Sequence, residues 1–288
     1  MFRRADDSFQ ITPYQRRNRH DVRDLLFRSL HSHTHLDWHE TDQWLDNGRS
    51  PVVLAWQGRQ LVGVMGASEP MAGECWIRVV GAVDGVDPLP IISALWSILR
   101  LDLKALHVER AAVLFMREWM QPVFQALGFA EYEWIVTLRR EAAEPPPDMR
   151  PANLIIRPTD PTDFDSVLDV DHAAFAALWR MTANDIRQAM RMAASCTLAL
   201  IDGLPVGYQL STMYFDGSHL ARLAVIPTLH ANGIGAALVG DVLRRFARRG
   251  IGTMSVNTQL SNERSQRLYR RLRFQPTGYD LAVWTRDL

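Results

Sequence analysis

Three stretches of the chain hold residue types that could do chemistry. In "LHSHTHLDWHE", Leu30 to Glu40, His31, His33, His35 and His39 crowd around Asp37, a supply of imidazole and carboxylate ligands such as a zinc hydrolase centre needs. "HLARLAVIPTLHANGIGAALVGDVLRRFARRG" sets Gly233 and Gly235 where a loop runs into an apolar-periodic segment. "SNERSQRLYRRLRF" carries Asn262, Ser265 and Tyr269 on one helix-like segment, with Asn262 and Tyr269 seven positions, nearly two turns, apart (269 − 262) so that both can face one cleft.

The histidine run lacks the framework of a metal site. Such a site places its His-x-His at the end of a barrel or sandwich strand and draws further ligands from downstream. No strand pattern precedes His31, and no second ligand cluster follows. The run is expected to be a polar, aromatic loop with Trp38 and Trp44 packing, and no metal is assigned.

The glycine run says more. Leu220 to Ile226 reads as a buried strand, and Pro227 ends its pairing. Gly233 then opens an amphipathic helix with Ile234, Ala237, Leu238, Val242 and Phe246 along one side. The first N–H groups of a helix have no partner within it, and the helix dipole adds positive character there. Glycines lacking side chains would let a phosphate approach that backbone, and a diphosphate is the natural guest. A P-loop would need Gly-Lys-Ser/Thr where this chain has Gly-Ile-Gly-Ala-Ala. A dinucleotide fingerprint would need a small residue where Leu238 stands.

On these residues the chain resembles the GNAT superfamily of acyl-CoA-dependent N-acyltransferases. The signature Gln/Arg-x-x-Gly-x-Gly/Ala is matched at both glycines of His230-Ala231-Asn232-Gly233-Ile234-Gly235 and departs at His230. Asn262 and Tyr269 match the family's following helix. The resemblance spans about Asn153 to Leu288. It implies that the backbone of Leu223, Ala224 and Val225 holds a pantetheine arm. It also implies that His230, Ala231, Asn232, Gly233, Ile234, Gly235 and Ala236 cradle the pyrophosphate, and that Asn262 and Ser265 help position acetyl-CoA. An acceptor amine would attack the thioester directly, with a backbone N–H near Ala224 supporting the oxyanion and Tyr269 protonating the leaving thiolate. A phenol (reference pKa ~10) is protonated near neutrality, while a thiolate (~8.5) can accept. Many relatives carry a glutamate base on the strand before this helix, where this chain has Asn257 and Gln259. His219, His172, Asp171 and Asp216 are possible proton acceptors, and none is assigned. The alternative is a non-catalytic acyl-CoA-binding or regulatory protein.

The elements that would position these residues occur twice. "PVVLAWQGRQLVGVMGAS" and "TLALIDGLPVGYQLS" each read as strand, turn, strand, and each half later closes a helix on "LGF" or "LRF". From Gly58 to Phe129 (129 − 58) and from Gly203 to Phe274 (274 − 203) the spacing is 71. A proline-rich stretch at 142–153 lies between the copies. The expected architecture is α/β of the α+β type: two tandem GNAT-like domains, 1–141 and 154–288, each a mixed, mostly antiparallel sheet flanked by helices. Carried back by 203 − 58 = 145 positions, Gly233 falls on Pro88, Gly235 on Pro90, Asn262 on Arg117 and Tyr269 on Phe124. The first copy should therefore have lost the coenzyme A site.

The 288 residues are 47% hydrophobic, enough for a packed core. Zero formal net charge gives no argument for nucleic acid or an acidic membrane surface. Two cysteines, Cys75 and Cys196, suit a reducing compartment, and Cys196, at the start of an expected strand, reads as core rather than nucleophile. No run of ~20 apolar residues appears, and "MFRRADDSFQ" shows no secretory signal. A cytoplasmic protein is expected, a monomeric pseudo-dimer or a homodimer, acting on acetyl-CoA and an amine-bearing acceptor without a metal.

Overall fold

The computed structural model describes residues 9–142, 144–148 and 150–288. The reading of the extreme N-terminus, and of Ala143 and Met149 in the linker, lies outside them. The elements of the first copy are β1 (Gln10–Pro13), α1 (Arg19–Arg28), β2 (Ser32–Thr34), α2 (Thr41–Leu45), β3 (Val52–Gln57), β4 (Gln60–Ala67), β5 (Glu74–Ala82), α3 (Pro88–Ala105), β6 (Arg110–Leu114), α4 (Met120–Ala126) and β7 (Ala130–Glu141). The second copy has β8 (Leu154–Pro158), α5 (Phe164–Ala174), α6 (Ala183–Met192), β9 (Ser195–Ile201), β10 (Leu204–Tyr214), β11 (Gly217–Val225), α7 (Ile234–Ala247), β12 (Thr253–Gln259), α8 (Glu263–Arg271), β13 (Gln275–Pro276) and β14 (Leu281–Asp287). Apart from β2 in the first copy and β13 in the second, the order repeats, as the 71-residue spacing implied. Phe129 N–H donates to Phe124 C=O and Phe274 N–H to Tyr269 C=O, each at 3.0 Å, so these closing turns are equivalent atom for atom.

The two copies do not divide at the linker. One compact unit comprises residues up to Tyr132 together with Ala282–Leu288, the other Glu133–Leu281. In the first, the sheet order is β1-β3-β4-β5-β6-β14, antiparallel except for the parallel pair β5–β6. In the second it is β7-β12-β11-β10-β9-β8, antiparallel except for β11–β12. Each unit thus takes its closing strand from the other end of the chain's plan, and the expected bounds of 1–141 and 154–288 follow sequence order rather than these units. Alternating patterning marks β7 and β14 as strands but carries no information about which edge each will join.

Hairpins are set by local chemistry. Asp202 and Gly203 both have positive φ, 51° and 78°, the requirement of the tight turn whose twist matches its strands. In the first unit α3 and α4 cover one face of the sheet through Ile92, Leu95, Leu99 and Phe124, while α1 and α2 cover the other through Val22, Leu25 and Trp44. In the second, α7 and α8 bury Val239, Val242, Phe246 and Tyr269 on one face. No helix among the described residues is long and apolar enough to cross a membrane.

Candidate active site

The second unit's sheet opens in its middle. β11 and β12 pair in parallel only at Ser218–Leu220 with Met254–Val256, although β11 runs on to Val225. Beyond Leu220, β10 occupies one edge of β11, and the edge toward β12 is left without a strand. A β-bulge sits at the point of divergence: Leu210 opposes Arg222 and Ser211 opposes Leu220, so Ala221 is the extra residue. A bulge reverses side-chain alternation. Leu220 and Leu223 therefore both pack toward α7 and α8, while Arg222 crosses to the α5 face and meets Asp171. The backbone of Leu223, Ala224 and Val225 consequently lines an open groove.

α7 begins at the end of that groove. Its N-cap is Gly233 in the left-handed region (φ 79°), where a side chain would be strained. No side chain among the described residues caps the helix, so the N–H groups of its first turn are left without a partner among them. A Cβ on Gly235 would approach Leu268 to 3.3 Å, so the absence of a side chain there also lets α7 close on α8. Ala231 has positive φ as well (67°), which curls the loop. His230 braces it: Nε2 lies 2.8 Å from the Val225 carbonyl and Nδ1 meets the Arg264 guanidinium. With Nδ1 accepting from the arginine, Nε2 carries the proton and donates to the carbonyl. The imidazole that departs from the family signature is thus spent on shaping the loop. Arg264 adds an exposed cation beside the loop. The sequence reading did not single it out, although its position two residues after Asn262 was available.

Asn262 caps α8, its Oδ1 accepting from Ser265 N–H at 3.1 Å. Its amide N–H groups are therefore what it can offer a ligand. Tyr269 is 4% exposed among Val239, Val242 and Phe274, and its phenol is pushed above the ordinary value by burial, which keeps it protonated. The four possible proton acceptors fare differently. Asp171 is fully buried and accepts from Tyr208 Oη (2.5 Å), Arg222 Nε (2.8 Å) and Met181 N–H (3.0 Å). Asp216 sits in the β10–β11 turn, at the opposite end of β11 from the groove. His219 Nδ1 is 2.9 Å from Ser255 Oγ. His172 Nε2 is 3.0 Å from the Met181 carbonyl, to which it donates, and that tautomer leaves Nδ1 as an acceptor. Burial pushes the thiols of Cys75 and Cys196 up to about 12 and about 11, which suits core residues rather than nucleophiles.

The first unit shows what the same frame looks like with these features removed. The N-cap of α3 is Asp87, whose carboxylate accepts from Leu89 N–H at 2.9 Å. Pro88 and Pro90 have no N–H to give. Helix start aligned with helix start, Gly233 corresponds to Asp87 and Gly235 to Leu89, one residue from the ungapped pairing with Pro88 and Pro90. The slip deepens the contrast, because the prolines replace Ile234 and Ala236 while an anionic side chain fills the cap. The histidine run differs from expectation too. Ser32–Thr34 form β2, which pairs with Val79–Gly81 of β5. β4 holds the other edge of β5 there, and β6 pairs only as far as Ile77. β2 therefore fills the opening that remains free in the second unit. Three residues are too short a run for periodicity to reveal, and the strand forms because the bare edge of β5 needs partners.

Residues 164–274 match the family model described as the acetyltransferase (GNAT) family. Among solved structures, the chain is similar to a GCN5-related N-acetyltransferase from Sphaerobacter thermophilus (15% identity, TM-score 0.61, 99% of this chain and 97% of that one). It is also similar to a tandem GNAT protein from the clavulanic acid biosynthesis pathway (14%, 0.63, 97% and 98%). A third is a probable N-acyltransferase from Enterococcus faecalis V583 (9%, 0.74, 97% and 72%). A search of curated proteins finds no match. Residues 164–274 thus carry a match to the acetyltransferase (GNAT) family, and the chain as a whole shares its fold with these N-acetyltransferases, one of them a tandem GNAT protein.

Proposed function

We propose that the second unit is an acetyl-CoA-dependent N-acetyltransferase and that the first has given up this role. The observation that carries the proposal is the groove along Leu223, Ala224 and Val225 ending on the uncapped, glycine-entered start of α7. That pairing of an open strand edge with an anion cradle fits a pantetheine arm joined to a pyrophosphate. His230 to Ala236 would hold the pyrophosphate, with Arg264 as counter-charge, while Asn262 and Ser265 at the head of α8 would border the cofactor. Acetyl-CoA would supply the activated thioester. On the protein side, a backbone N–H near Ala224 would stabilise oxyanion charge, and the protonated Tyr269 would donate to the departing sulfur.

Asp171, Tyr208 and Arg222 would act as positioning residues. Arg222 also donates to the Trp179 carbonyl at 2.6 Å and stacks on Phe175, so this network ties the segment between α5 and α6 to the strand that bears Ala224. With Asp171 so engaged, the acceptor amine would enter as the free base.

Calorimetric titration with acetyl-CoA tests the proposal. One site per chain, lost in Gly233→Pro, followed by acetyl transfer in an amine screen, is the expected result. Binding without turnover of any amine would favour a non-catalytic acyl-CoA binder, the reading that the absent glutamate base supports. No binding would overturn both.

A further inference from the structure

β2 seals the first unit's groove and brings new chemistry with it. The ladder extends past its ends, since His35 N–H donates to Arg78 C=O (2.8 Å) and Ala82 N–H to His31 C=O (3.0 Å). Strand alternation then places His31, His33 and His35 on one face. His33 is 3% exposed, whereas His31 and His35 are partly open, so the face is closed at its centre and accessible at its ends. Trp119 stands edge-on to His31 with ring centres 5.6 Å apart, and Trp76 edge-on to His35 at 5.9 Å.

Among the described residues, four buried polar atoms along this face have no hydrogen-bond partner: His31 Nδ1, His33 Nε2, His35 Nδ1 and Trp119 Nε1. Folded proteins satisfy nearly all such atoms, and a cluster of exceptions marks a place where something else binds. The nearby charges indicate what. The guanidinium groups of Arg78 and Arg117 bring positive charge close to His33. Asp37 is committed to His35 Nε2 (3.1 Å) and Arg78 (2.5 Å), and Asp84 to Leu30 N–H (2.9 Å), with His31 Nδ1 at 3.5 Å. Trp119 can only donate, and His31 and His33 can each present an N–H. Among the described residues no three ligating side chains are arranged to hold a metal ion.

We infer that the first unit carries a ligand site of its own on the histidine face of β2, built for a small anion bearing a carboxylate or phosphate group. The site stands where the second unit keeps its cofactor groove, and it is independent of acetyl-CoA binding there.

The test uses the full chain, titrated with inorganic phosphate and with succinate, read by thermal stability and tryptophan fluorescence. A saturable response to either supports the site, and the responding ion tells a phosphoryl ligand from a carboxylate. Arg117→Ala, an exposed position that should fold normally, should weaken that response about tenfold. His33→Gln should weaken it as well, with acetyl-CoA affinity unchanged in both variants. Ala236→Pro, which strips the cradle of the second unit, should leave the response intact. No saturable response to either ion, a response indifferent to Arg117→Ala, or one abolished by Ala236→Pro would overturn the inference. So would stabilisation by zinc alone that His33→Gln removes.

Discussion

Ala236→Pro isolates the anion cradle from the fold that carries it. Ala236 is the third residue of α7, where a helix has no internal acceptor for the N–H and proline is tolerated. The first unit demonstrates the tolerance, since Pro90 occupies the same place in α3. The substitution should therefore cost little stability while deleting one donor to the pyrophosphate. A hydrogen bond to a charged group contributes about 1.5–3 kcal/mol, so acetyl-CoA affinity should fall about 10- to 150-fold. Calorimetry measures this directly, and an acetyl-pantetheine thioester, which lacks the pyrophosphate, serves as control because its affinity should not move. A change in acetyl-CoA affinity below about threefold, in a variant that melts like the parent, would refute the cradle. An equal loss for both ligands would show that the groove had been disturbed instead.

Tyr269→Phe should fold normally, because Phe124 fills the equivalent position of the first unit with the same closing hydrogen bond. Its kcat for acetyl transfer should drop about 10²- to 10⁴-fold with acetyl-CoA affinity retained, and an unchanged kcat would remove the tyrosine from the chemistry. Asp171→Ala leaves the Arg222 charge buried without its partner and should cost about 3–5 kcal/mol in denaturant unfolding. A loss under about 1 kcal/mol would mean that water replaces the carboxylate easily. Burial, with His35, Arg78 and Arg117 adding to it, lowers the His33 imidazole to about 3. The unfolded chain therefore binds the extra proton first, so this contribution is full above pH ~6.5 and is lost toward pH ~3, at about 1.4 kcal/mol per unit. Urea unfolding should show about 2 kcal/mol lost between pH 7 and 5 from this residue, and an identical loss in His33→Gln would assign the effect elsewhere.

Much of this protein is local and was legible as such. The turn at Asp202-Gly203, the glycine entry to α7, the tyrosine of α8 and the duplicated order of elements all depend on residues near one another in the chain, where steric limits and periodicity act directly. The missing N–H groups at the start of α3 in the first copy were equally visible, because proline lacks an N–H wherever it stands, although the one-residue slip at Asp87 needed the helix starts themselves. What tertiary structure alone decided is pairing over long separations. Nothing in Leu281–Asp287 names β6 as its neighbour, nothing in Ser32–Thr34 names the bare edge of β5, and nothing in Asp171 names Tyr208 and Arg222. A strand's pattern specifies two faces but leaves its edges interchangeable, and a buried charge is satisfied by whichever donors the packed sheet delivers. Those choices belong to the assembled sheet, which settles them by leaving as few backbone and side-chain polar groups as possible without partners.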